Sequence, residues 1–123
     1  MWNVSGRYAA FTRRLVDRVL ATPGHTSTEL RRAVAARAAG LSLTPPSPLS
    51  GTERGSGGED ALTSYVDKVA RHAYQVTDAD VAALQRIGNS DDVLFEVTVA
   101  AALGAAVGRL ERGLAALRGE EPD

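Results

Sequence analysis

Ser90–Gly119, SDDVLFEVTVAAALGAAVGRLERGLAALRG, is the longest unbroken helical pattern in the chain. At about 1.5 Å of rise per residue it would run roughly 40 Å, the width of a small domain. Ser90 is a good N-cap, Asp91 and Asp92 stand where the helix dipole favours anions, and Arg118 with Gly119 can close the far end. Two apolar stripes follow helical spacing: Phe95, Val99, Ala102, Ala106, Leu110 and Leu117 form one, and Leu94, Val97, Ala101, Ala105 and Gly108 the other. A helix apolar on two faces expects neighbours on both sides, so this one is predicted to be central. The charge-free run Val97–Gly108 is only twelve residues long. A membrane span needs about 20 predominantly apolar residues, so the expectation is a buried helix and no membrane association.

Working back from that helix, the preceding segments carry the same period. Tyr8, Phe11, Leu15 and Val19 define the predicted buried stripe of a first helix, Ser5 to Ala21, which Thr22-Pro23-Gly24 ends. Thr26 with Glu29 reads as a capping box opening a second helix, lined by Leu30, Val34, Ala38 and Leu41 and stopped near Gly40. A third helix is predicted over Glu59–Val76, with Leu62, Tyr65, Val69, His72 and Val76 on one face. Thr77, Asp78 and Asp80 open a fourth, whose buried side is Val81, Leu84 and Ile87 and whose end is Gly88-Asn89. Between the second and third helices, residues 41–60 pack three prolines and four glycines into twenty positions, the composition of a loop, with 51–58 its most flexible part. No stretch alternates with the period of a strand. The chain, 123 residues, therefore reads as one all-α domain of about five helices, with a flexible loop at about 41–58 and a long C-terminal helix.

Charge is nearly balanced overall but unevenly distributed. Residues 1–58 hold eight Arg against three acids, and residues 59–123 hold twelve acids against six Lys or Arg. The arginines are spread along helix faces without interleaved aromatics, which disfavours a nucleic-acid footprint. There is no cysteine, so disulfides, thiolate nucleophiles and Cys-based metal sites are excluded together. The N-terminus MWNVSGRYAAFTRR has no apolar h-region, and the expected location is cytoplasmic. Two histidines without metal-ligand spacing predict no metal, GTERGSGGED lacks the Lys-Ser or Lys-Thr of a P-loop, and no cofactor is expected.

The C-terminal run VTDADVAALQRIGNSDDVLFEVTVAAALGAAVGRLERGL resembles the carboxymuconolactone decarboxylase and AhpD-like alkylhydroperoxidase family, in which a short helix, a Gly turn and a long Ala-rich helix end near an Arg, here Arg109. Thr28–Gly40, TELRRAVAARAAG, is similar to an upstream family helix. The resemblance implies an AhpD-like helical fold that assembles as homo-oligomers. In the peroxidase branch a Glu precedes C-x-x-C-x-x-x-H. Laid on this chain, the Glu falls on Arg32 and the cysteine motif on Thr44–Gly51, so the Glu, both cysteines and the His are all missing. Thr44 and Ser47 offer no disulfide couple, and no catalytic residue is carried over.

The candidates left are individual side chains. His72 lies on the third helix's apolar stripe, His25 in a surface turn, and Asp67 and Arg71 stand four apart as an exposed pair. Glu96 falls one turn into the long helix; if buried it needs His72, Arg71 or another subunit's Arg as partner. Two functions are weighed, beside a basic-surface nucleic-acid adaptor that salt-dependent binding would test. One is a non-redox, homo-oligomeric structural, binding or assembly protein. The other is a decarboxylase-type enzyme with Arg109 or Arg32 as carboxylate anchor and His72 or Glu96 as proton carrier, which requires these groups to converge. Ala101, Gly104, Ala105 and Gly108 make a small-residue strip suited to close helix approach, by the first or third helix of the same chain or by a second subunit.

Overall fold

The computed structural model describes residues 7–43 and 57–119, and every regular element among them is helical. In order these are α1 (Ala9–Ala21), α2 (Thr28–Leu43), α3 (Gly57–His72), a short 3-10 turn (Ala73–Gln75), α4 (Asp78–Arg86) and α5 (Asp91–Leu117). The predicted all-α architecture of about five helices holds. The loop expected at 41–58 falls mainly on residues outside those described, and α2 and α3 extend into both of its ends.

Local chemistry explains most boundaries. Thr77 and Asp80 form a reciprocal capping box at α4, where Thr77 Oγ1 accepts from Asp80 N at 3.2 Å and Asp80 Oδ2 accepts from Thr77 N at 2.9 Å. Ser90 caps α5 by accepting from Val93 N, and Gly88 (φ 106°) and Gly119 (φ 76°) supply the left-handed residues after α4 and α5. Two expectations fail at α2. Ser27 is the residue whose hydroxyl accepts from Leu30 N at 3.0 Å, because the Thr26 hydroxyl is engaged elsewhere. Gly40 does not stop the helix: it lacks the positive φ of a C-terminal glycine, and inside a helix it costs only about 1 kcal/mol.

α5 lies against α2 and α3, and the core sits between them, extended by Val16 and Leu20 from α1 and Leu84 from α4. Six of its sixteen buried hydrophobic residues are alanine, which lets helix backbones approach closely. Gly104 is the tightest point. A Cβ there would stand 2.8 Å from both Cα and C of Ala35 in α2, and nearer still to its carbonyl oxygen. Ala101, Gly104, Ala105 and Gly108 are all buried within the chain, and the helix that meets Gly104 is α2 rather than the first or third. Tyr65 joins α3 to α5 through a 2.6 Å bond to Thr98 Oγ1. The one Thr98 hydroxyl proton goes to Leu94 O, so Tyr65 is the donor.

Two predicted stripes open outward, and two others each lose one residue. On α5 the Leu94–Gly108 line is buried, but Phe95 is 69% exposed and Leu117 85%, and Ala102, Ala106 and Leu110 also face out. Among the described residues the long helix thus packs along the Leu94–Gly108 side, while most of the Phe95–Leu117 side is exposed. On α1, Tyr8 (63%), Phe11 (60%) and Leu15 face out while the adjacent line through Val16 and Leu20 packs inward. Helical period does not rank two neighbouring apolar lines. Ile87, at the C-cap of α4, and His72, where α3 breaks (φ −144°, ψ 58°), are likewise exposed because the helix no longer turns them inward. By length and composition α5 is long and apolar enough to cross a membrane, with a mean hydropathy of 1.7 over its best window, of which 44% is buried against the rest of the chain.

Candidate functional site

The best-connected polar group is Glu96. Its helix carries it to the turn between α1 and α2, where His25 and Thr26 present main-chain N–H donors before Ser27 begins the next cap. Oε1 accepts from Thr26 N at 2.8 Å and Thr26 Oγ1 at 2.6 Å; Oε2 accepts from His25 N at 2.7 Å. His25 Nδ1 lies 3.3 Å from Oε2, and its Nε2 lies 3.5 Å from Asp92. Gly24 makes this approach possible, since a Cβ there would be 2.6 Å from Oε2. The Thr26 hydroxyl and then the His25 main-chain N–H hold the carboxyl down at about 2, against an ordinary 4.5. Glu96 is therefore a fixed anion that ties α5 to the α1–α2 turn, and a group ionised throughout the neutral range is poorly suited to carrying protons.

Beside this clasp is a groove of about 310 Å³ between the end of α1 and the start of α5. Arg18, Val19 and Thr22 line it from α1, Phe95 and Val99 from α5, and Arg31 from α2. Arg31 is only 5% exposed. Its Nη1 donates to Val19 O at 3.1 Å and its Nε to Ser27 O at 3.5 Å. The first bond satisfies a carbonyl in the last turn of α1, at the negative end of the helix dipole.

The sequence-derived catalytic candidates do not converge. His72 is exposed and packs edge-on against Tyr74, with ring centroids 5.9 Å apart. Arg109 Nη2 donates to Ala70 O at 2.7 Å, at the end of α3. Glu96 lies thirteen positions before Arg109 on the same helix, roughly 20 Å along it. Arg32 is half-buried on α2, and Thr44 and Ser47 lie outside the described residues. Asp67 pairs with Arg37 rather than Arg71, at 2.6 and 2.8 Å to the two carboxylate oxygens, and the arginine's pKa is raised by it. Arg71 Nε is buried without a hydrogen-bond partner. Lys68 bridges to Asp80 at 2.9 Å and lowers that carboxyl's pKa.

Sequence reasoning placed the partner of Glu96 on α3 or on another subunit, whereas it is the PGHTS turn. The available signal was the turn itself: a Gly followed by residues whose N–H groups precede a helix cap, and so have no acceptor of their own. Arg31 did carry a signal: it stands three residues before Val34 and seven before Ala38, an arginine on the predicted buried line of α2, whereas Arg32 and Arg37 lie off that line. Among the described residues no group of three or more His, Cys, Asp or Glu could hold a metal ion. Comparison of the chain with family models, curated proteins and solved structures gives no match in any of the three.

Proposed function

We propose that the chain is a non-redox, AhpD-like helical protein that works as a homo-oligomer in a structural, binding or assembly role. The observation that carries this reading is an inversion of side-chain size. Both phenylalanines of the chain lie outside, at 60% and 69% exposure, while six of the sixteen buried hydrophobic residues are alanine. Tyr8 and Phe11 stand exposed in the first half of α1 and Phe95 beside its last turn, and large aromatics left in water in this way mark an interaction face. Leu15, Leu110 and Leu117 extend it along both helices toward the roughly 800 Å² per partner of a stable interface. A second copy suits this face. Arg13, Arg14 and Arg18 are exposed on α1, and Asp91 and Asp92 at the start of α5, so α1 of one chain can pair with α5 of another in charge as well as in apolarity.

The decarboxylase-type alternative gains no support from geometry, since His72, Glu96 and Arg109 stand apart. Sedimentation velocity on Phe11→Asp and Leu110→Asp tests the proposal. Each variant is expected to sediment as a monomer with helical circular dichroism intact, because neither side chain is in the core. Variants that sediment like the wild type would contradict it.

A further inference from the structure

We infer that the groove between α1 and the first two turns of α5 is a binding site for a small apolar monocarboxylate, held by the buried guanidinium of Arg31. The starting point is an unbalanced charge. Arg31 is 5% exposed and takes part in no ion pair, and its two protein bonds go to neutral carbonyl oxygens. Among the described residues Nη2 has no acceptor, and it is not sealed in the core as Arg71 Nε is, so it keeps access to the groove that Arg31 lines. Burying a cation without an anion is costly, and the usual remedy is a carboxylate in bidentate contact. The one acid in the groove, Glu96, does not serve, because both of its oxygens are taken by the His25–Thr26 turn.

The groove supplies the rest of the ligand description. At about 310 Å³ it is at the small end of ligand pockets. Val19, Phe95 and Val99 offer apolar wall, and Arg18 adds a second positive charge. Phe95 is 69% exposed and would be covered by a hydrocarbon body lying on it. The planar guanidinium fork selects a planar carboxylate. The fixed negative charge of Glu96 on the same wall opposes a second ligand charge, so a monocarboxylate is favoured over phosphate or a dicarboxylate.

The test is calorimetric titration of the full chain with hexanoate, with 1-hexanol as its uncharged analogue and with inorganic phosphate. Hexanoate should bind about tenfold or more tightly than hexanol, the difference expected for hydrogen bonds to a charged group, and phosphate should not saturate. Arg31→Lys should lose most of that preference. Because a change at a buried site can also unfold the chain, two exposed or half-buried positions provide independent readings. Arg18→Ala should weaken hexanoate while leaving hexanol unchanged, and Val99→Trp, which fills the groove, should abolish both with helical circular dichroism retained. Equal affinity for hexanoate and hexanol, no binding of either, or unchanged hexanoate binding in Val99→Trp would overturn the assignment. Phe95 and Arg18 also belong to the face proposed for a second copy, so the titration is repeated on Leu110→Asp, which lies about three turns beyond Val99 of the groove. Saturable hexanoate binding by that variant separates this outcome from the oligomeric state.

Discussion

Two glycines of α5 predict opposite results for the same substitution. Gly104→Ala places a methyl carbon 2.8 Å from two backbone atoms of Ala35, where carbon atoms prefer about 3.5–4.0 Å. The obstacle is helix backbone, so α2 and α5 must part by roughly 1 Å, which loosens the alanine contacts on either side. Overpacking of this kind costs about 1–3 kcal/mol, and a backbone neighbour puts it at the upper end. The better helix propensity of alanine returns about 1 kcal/mol, leaving a net loss of about 2 kcal/mol. For a chain of this size that lowers Tm by about 10 °C. Gly113→Ala meets nothing within 4 Å and keeps only the propensity gain, so it should raise stability by about 1 kcal/mol. Urea unfolding followed by far-ultraviolet circular dichroism, at one fixed protein concentration, measures both. A Gly104→Ala variant as stable as the wild type, or two variants shifted in the same direction, would refute the close α2–α5 packing.

Glu96 predicts an acid-dependent loss. Its folded-state pKa of about 2 lies below the ordinary 4.5, so the clasp contributes fully above about 4.5, weakens as pH falls through that interval and is gone below about 2. Melting curves of wild type and Glu96→Gln should therefore stay separated at neutral pH and converge toward pH 2; a separation independent of pH would contradict the clasp. With no cysteine in the chain, hydroperoxide turnover with a dithiol reductant should not exceed that of a heat-killed control, and measurable turnover would remove the non-redox reading.

The helices were legible in the sequence because caps and period are local: Thr77 with Asp80, Ser90 and Gly119 each act where their chemistry places them. What faced inward was less legible. Leu94–Gly108 and Phe95–Leu117 are both valid helical lines, and which one is covered depends on how near α2 can come, a matter settled at Gly104 and Ala35. The Thr26–Glu29 capping box failed for a related reason. A hydroxyl seventy positions from Glu96 was worth more to that carboxylate than to its own helix, and no local pattern reports such a pairing. The inward position of Arg31 was legible, since it shares the Val34–Ala38 line, but its partner Val19 O was not, being set by the approach of α1.

Light scattering coupled to size-exclusion chromatography on the wild-type protein bears on the proposed assembly with the fewest assumptions. The uncovered faces of α1 and α5 predict a mass of at least twice the 12.9 kDa chain, shifting to the monomer value in Phe11→Asp and Leu110→Asp. A wild-type mass of 12.9 kDa that does not change with concentration would contradict it.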